Sequence, residues 1–486
     1  MNGRSAGLLL GPALFAAVLL LPAPAGMPLA AWRTTALALL LAVWWMTEAL
    51  PLGATSLLPL VLAPLLGIAP IEEAAAPYAN PTVFLFLGGF LIALAVERCG
   101  LHRRAALTIL AAVGSRPANL VAGFMIATAF LSMWISNTAA TLMMLPMALS
   151  VVALEDPGTG ETRTAFGAAL LIGVAYAASL GGLGTLIGTP PNALLAAYMQ
   201  ERFAFDIGFG RWMLIGVPLV VVSLPLAWVI LTKVVCRVGD ARLAGAGSEL
   251  GTARAALGRM TRAEWLVGGI TLATALGWMF RPLIERLIPA ASDTTIAITG
   301  ALLLFAVPVR WARREFPLKG EDIDRLPWSV LLLFGGGLSL AGAIQSSGLA
   351  AWLGTALERL GSLPLPLLVL GVVASVVFVS ELASNTAAAA TFLPIAGALA
   401  TGLGENPLLL VIPAALAASC GFMLPVATPP NAIAYGTGRI PMATMIRAGV
   451  LLNLAMIAIL TLAAFVLVPW ILGSGPGPAA PSAAFP

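Results

Sequence analysis

The chain has 486 residues, 60% hydrophobic and only 9% charged, whereas soluble domains run near about 45–50% apolar and 25% charged. That excludes a soluble enzyme, a disordered scaffold and a nucleic-acid binder. The formal charge of +4 comes from 25 basic and 21 acidic residues spread thinly, without a basic patch, and 50 Gly with 36 Pro suit membrane helices that break. Three cysteines (Cys99, Cys236, Cys420) offer neither a disulfide framework nor metal spacing, and one histidine (His102) rules out an HExxH site.

At about 20 residues per span, the length holds roughly ten to twelve spans. Residues 1–26 carry one Arg, an apolar run over 8–21 and then Ala-Pro-Ala-Gly, which resembles a signal peptide. They are read as a first span, because multispanning proteins rarely need a cleaved signal. Spans are predicted at 7–25, 29–49, 51–69, 82–98, 166–199, 207–235, 263–281, 292–309, 328–346, 407–436 and 445–472. The stretches 117–150 and 365–400 are apolar but interrupted by polar residues halfway. Their length suits two half-membrane helices folded back as a re-entrant hairpin. The segments 237–262 and 310–327 are hydrophilic and Arg-rich, and the Gly/Pro/Ala/Ser tail 474–486 is expected to be disordered.

Positive loops stay cytoplasmic. With Arg4 inside, eleven spans and two hairpins that return to their own side, nineteen of the 25 basic residues fall on the cytoplasmic face. The N-terminus is then cytoplasmic and the C-terminus extracytoplasmic. Basic residues are 23 Arg and two Lys, which with the Ala/Gly/Leu-rich usage points to a GC-rich bacterial genome and an inner-membrane location.

The chain repeats. Shifted by 248 residues, 85–148 lies on 333–396 without a gap and with 21 identities in 64 positions. Gly88-Gly89 falls on Gly336-Gly337, Gly100-Leu101 on Gly348-Leu349 and Ser132 on Ser380. Ser136-Asn137-Thr138-Ala139-Ala140 falls on Ser384-Asn385-Thr386-Ala387-Ala388. At an offset of 239, Thr189-Pro190-Pro191-Asn192-Ala193 falls on Thr428-Pro429-Pro430-Asn431-Ala432. The first copy has Glu72-Glu73 before its glycine span and Arg98, Arg103 and Arg104 after it. The second has five basic residues (310–325) before, and only Arg359 between glycine span and hairpin. Matching positions thus face opposite sides: an inverted repeat, with the site expected at the repeat interface near the midplane.

A Pro-Pro pair cannot continue a helix, so 166–199 and 407–436 should each break there. Broken helices and hairpin tips bring N–H groups and half-helix N-termini into the membrane, which favours an anion. Opposite helix ends, unwound carbonyls and Ser, Thr and Asn oxygens suit Na⁺. No Arg or Lys lies within the four motifs. A dianion held by amides and hydroxyls alone is costly in low dielectric, and co-bound Na⁺ would compensate it.

Other residues have milder readings. Glu381 divides between holding its hairpin and coupling directly, and Glu48 reads as a cap between spans. His102 belongs to an interfacial helix, and the Gly-Gly pairs mark close helix packing. Ser136 and Ser384 lack a neighbouring base for a hydrolase.

The paired Ser-Asn-Thr and Thr-Pro-Pro-Asn motifs, with Trp45-Met46-Thr47-Glu48-Ala49-Leu50-Pro51, resemble the divalent anion:sodium symporter family over essentially the whole chain. The resemblance implies an all-α polytopic membrane protein of about eleven transmembrane helices and two re-entrant hairpins, a homodimer working by an elevator mechanism. Its organisation would be scaffold spans in 1–81, a first repeat 82–236, a cytoplasmic linker 237–262, scaffold spans and a loop in 263–327, a second repeat 328–472 and the tail 473–486. Implied cargo is succinate, malate, fumarate, citrate or sulfate with Na⁺, and no organic cofactor. The implied anion contacts are Asn137, Thr138, Thr189, Asn385, Thr386, Thr428 and Pro429. One implied Na⁺ site uses Ser132, Ser136, Asn137 and the backbone of Gly188. The other uses Ser380, Asn385 and the backbone of Ala383 and Ala427, where Ala427 stands in place of the first copy's Gly. A Na⁺-independent carboxylate exchanger and a Na⁺/sulfate symporter remain the alternatives.

Overall fold

A computed structural model describes residues 3–154, 160–239, 246–356 and 363–473. The readings that concern Arg242, Arg359 and the tail 474–486 lie outside these. The described residues form helices joined by short turns, with one isolated bridge, Arg310 to Glu315, in the 310–327 loop. Among the described residues, six helices are long and apolar enough to cross a membrane by length and composition. The remaining expected spans are short or broken, for local reasons. Residues 51–69 divide into Leu52–Thr55 and Leu58–Leu65, beside Pro51, Pro59 and Pro64. The span predicted at 263–281 runs over Arg262–Met279 and then bends by 82° into Arg281–Leu287, whose second residue is Pro282.

Both hairpins form. Pro117–Ser132 and Asn137–Val152 make the first, Leu365–Ser380 and Asn385–Gly402 the second. Each return helix starts at a serine whose Oγ accepts the N–H three residues on: Ser136 from Ala139 and Ser384 from Ala387, both at 3.2 Å. The helix Gly160–Gly182 shows the fold-back through its glycines. Gly181 lies against the Ala129 backbone and Gly182 against the Asn137 amide, at the tip, while Gly173 meets Val121 and Met125 and Gly167 meets Val152, toward the open end. At 1.5 Å per residue each 16-residue arm of this hairpin is about 24 Å long.

The second broken pair is Leu408–Ala417 with Pro429–Tyr435, and the first is Gly160–Gly182 with Pro190–Phe203. After each glycine helix (Pro81–Cys99 and Trp328–Ser346) the chain turns at a left-handed glycine, Gly100 at φ 79° and Gly348 at φ 81°. A short helix follows in each copy, Leu101–Leu110 and Leu349–Ala356. Gly88 packs on the Ala297 backbone of the helix Asp293–Ala306, and Gly336 on the Ser56 carbonyl. The preceding segment of each copy therefore covers the glycine helix of the other. Trp45, fully buried, donates its indole N–H to Ser56 Oγ at 3.1 Å and secures that corner.

Polar contacts sort the loops into two ends. Arg98 pairs with Asp322, and Arg104 forks onto Glu264 at 2.7 and 3.2 Å while also donating to the carbonyls of Leu257 and Gly258. At the other end Arg281 pairs with Asp206, Glu285 and Asp293, and Asn80 donates to Glu201. Pro81–Cys99 and Arg262–Met279 each run from one group to the other.

Candidate functional site

All seven residues expected to contact an anion line one cavity of about 730 Å³: Asn137, Thr138, Thr189, Asn385, Thr386, Thr428 and Pro429. Ser136, Gly188, Ala383 and Ala427 line it too, while Ser132 and Ser380 lie fully buried behind the hairpin tips. The hairpin helices Asn137–Val152 and Asn385–Gly402 begin at this cavity, as do the broken helices at Pro190 and Pro429. Their positive ends converge, which favours an anion. The four ends are not equivalent. A Pro-Pro pair removes the first two N–H donors of each broken helix, so those ends supply their dipole and the threonine hydroxyls. The backbone donors come from the hairpins. Among the described residues, no Lys or Arg lines the cavity.

The first cation set converges closely. The Asn137 Nδ2 donates to Ser132 Oγ at 2.7 Å, Ala178 O at 3.2 Å and Gly188 O at 3.2 Å. Three oxygens thus converge on this amide N–H₂; with the amide turned over, they and its own oxygen would make a donor set for a small hard cation. Ala178, whose carbonyl also accepts from Ser132 Oγ at 2.7 Å, was not legible in the sequence. Ser136 Oγ is taken by the helix cap. The second set is looser: Ser380 Oγ donates to Val377 O at 2.8 Å, and the buried Asn385 Oδ1 has no hydrogen-bond partner. Gly421 brings the unwound segment against Ser380 and Ala427.

Several residues hold these loops without lining the cavity. Asn192 Nδ2 donates to Gly182 O and Thr185 O, and Asn431 Nδ2 to Gly421 O and Leu424 O. The asparagine of each Thr-Pro-Pro-Asn is thus a brace, at the same repeat offset in both copies. Glu381 holds the loop opposite its hairpin: its carboxylate accepts from the backbone N–H groups of Phe422, Met423 and Leu424, and from Asn453 Nδ2 at 2.7 Å. Tyr176 donates its hydroxyl to Phe422 O at 2.7 Å, tying the first repeat to that same loop. Thr189 Oγ1 lies 3.5 Å from Ser419 Oγ, across the repeats. Neither Tyr176 nor Ser419 falls in a repeated motif, so only the fold reveals them. His102 is outside the cavity, 3.0 Å from Val96 O, and burial lowers its pKa from the ordinary 6.5.

The sequence profile described as the sodium:sulfate symporter transmembrane region matches residues 3–473. The chain belongs to this family. The sodium-dependent dicarboxylate transporter SdcS of Staphylococcus aureus (strain USA300) is 40% identical over 480 residues, covering 97% of this chain and 92% of the relative. SdcS of Staphylococcus saprophyticus matches with the same identity and coverage. Two solved transporters share the fold at a TM-score of 0.59. YdaH of Alcanivorax borkumensis, at 15% identity, covers 92% of this chain, and MtrF of Neisseria gonorrhoeae, at 16%, covers 96%; each is itself covered completely. The protein is thus a polytopic membrane transporter of the sodium:sulfate symporter family, not an enzyme.

Proposed function

We propose that the protein imports small divalent anions, C4-dicarboxylates such as succinate, malate or fumarate and with them citrate, coupled to Na⁺. The carrying observation is the single cavity in which seven uncharged anion contacts meet convergent helix N-termini, directly beside the oxygen ring at Asn137. Because no Lys or Arg lines that cavity, the compensating positive charge has to arrive with the cargo. Asn137 belongs to both sets. A cation that holds its oxygen inward turns the amide N–H₂ away from the ring, so cation and anion stabilise one another through one side chain. The name of SdcS, sodium-dependent and dicarboxylate, supports the same reading at 40% identity.

In this reading the hairpins and broken helices form the moving transport domain of an elevator. The segments 1–81 and 263–327 serve as scaffold, and protomers pair as homodimers in a bacterial inner membrane. The cavity is lined on its scaffold side by Met46, Thr47, Glu48, Pro327 and Val330, next to the loop that carries Arg310, Arg313, Arg314, Lys319 and Arg325. The positive-inside rule makes that the cytoplasmic end, so this state is open inward.

Succinate uptake into proteoliposomes under an inward Na⁺ gradient, against K⁺ or choline, tests the proposal, with citrate and sulfate as competitors. Uptake that needs Na⁺ and yields to dicarboxylates is the expected result. Uptake without Na⁺, only into vesicles preloaded with dicarboxylate, would make the protein an exchanger. Asn137→Ala or Asn385→Ala is expected to abolish transport in protein that still elutes as a folded species. Full activity of either would remove the site assignment.

A further inference from the structure

Among the residues lining the cavity, Glu48 is the one formally charged side chain. A site built from helix N-termini, hydroxyls and amides for an anion gains nothing from a carboxylate, which repels a dianion. Glu48 adopts φ 46° and ψ 40°, left-handed backbone that Gly adopts freely and Glu only with strain. Its N–H caps the helix Leu29–Thr47 on the Trp45 carbonyl at 3.4 Å, a job that needs no side chain. Its one ion-pair partner is Arg4 Nη2 at 3.3 Å, with the two side chains 44% and 73% exposed. An exposed pair of that kind is screened by water and only weakly neutralised.

We propose that Glu48 is a specificity-determining residue for release: its carboxylate lowers the affinity of the cavity for dianions when the site opens on this face, and Arg4 limits how strongly. The proposal rests on the transport reading above. A charge in a cleft with low-dielectric walls acts on the whole cavity, repelling anions and drawing in cations. Glu48 belongs to the scaffold helix Leu29–Thr47, whereas the anion contacts belong to the moving hairpins and broken helices. When the site moves to the opposite face it leaves the carboxylate behind. The repulsion therefore acts on one side only, and it is stronger for a tricarboxylate than for a dicarboxylate.

The test uses the full-length protein in proteoliposomes of uniform orientation, with the KM for succinate measured separately from each face at saturating Na⁺. Glu48→Gln is expected to lower KM on the face that carries Arg4 by roughly three- to tenfold and to leave the other face unchanged. Arg4→Gln should raise the same KM, and Glu48→Asp should keep the wild-type value. A merely structural role for Glu48 would move both faces together, or move Glu48→Gln and Arg4→Gln in the same direction; either result overturns the proposal. A wild type without Na⁺-driven flux of a divalent anion overturns the transport reading and this proposal with it. A wild type that transports while Glu48→Gln keeps both KM values overturns the proposal alone.

Discussion

Glu381 occupies the position that Met133 holds in the first repeat, and the two loops they face differ accordingly. In the first repeat the N–H groups of Leu183 and Gly184 bond back to Leu180 and Gly181, so the loop closes on itself. In the second, the N–H groups of Phe422, Met423 and Leu424 turn to the Glu381 carboxylate, and Asn453 of the helix Met442–Leu472 joins them. Each of those donors left unpaired in a buried site costs about 1–3 kcal/mol. Glu381→Ala is therefore expected to lower the thermal unfolding midpoint markedly and to abolish transport. Met133→Ala should leave the midpoint much closer to wild type. Equal midpoints for the two variants, read by tryptophan fluorescence in detergent, would show that the carboxylate does not hold this loop.

At the scale of the element, close approach of backbones decides which glycines matter. A Cβ on Gly181 would stand 2.3 Å from Ala129 O and 2.5 Å from Ala129 Cα, backbone atoms that have nowhere to go. Gly181→Ala has to push the first hairpin off the helix Gly160–Gly182 and with it the oxygen ring at Asn137. Overpacking of this kind costs about 1–3 kcal/mol or more, and the variant should lose Na⁺-dependent stabilisation in a thermal-shift assay. Gly100 is the contrast: nothing lies within 4 Å, and its φ of 79° is the sole obstacle. Gly100→Ala should cost about 1 kcal/mol and keep the Na⁺ response. Loss of that response in Gly100→Ala but not in Gly181→Ala would reverse the assignment.

Across the whole molecule the repeats are alike in sequence but unlike in surroundings. Ile187 is buried on Gly89, and Trp134 stacks on Phe209 at 6.4 Å. Their partners under the repeat, Val426 and Leu382, are 73% and 74% exposed. An elevator built from inverted repeats exchanges these environments, so the opposite-facing state is expected to bury Val426 on Gly337, the partner of Gly89. A single cysteine at Val426, in a background free of Cys99, Cys236 and Cys420, should react with a water-soluble thiol reagent in the state seen here. Its labelling should slow once Na⁺ and substrate drive exchange, whereas labelling at an unchanged rate would leave the repeats without this exchange.

Much was legible beforehand because its causes are local. A membrane span needs a run of apolar residues, a Pro-Pro pair ends a helix wherever it stands, and a serine caps the three residues that follow it. The two hairpins and both breaks followed from such signals, read twice through the repeat, whereas the seven residues that share the cavity came from the resemblance to the family. Contacts made between distant stretches of the chain left no local trace. The Ala178 carbonyl beside Asn137, the hold of Glu381 on a loop some forty residues away, Tyr176 on Phe422, and the carboxylate of Glu48 on the cavity all depend on how distant stretches pack. Periodicity and breaker residues specify elements within one stretch of chain. Which backbone donors and which charges end up facing one another is specified only when distant stretches meet in a low-dielectric interior, where every polar group has to find a partner.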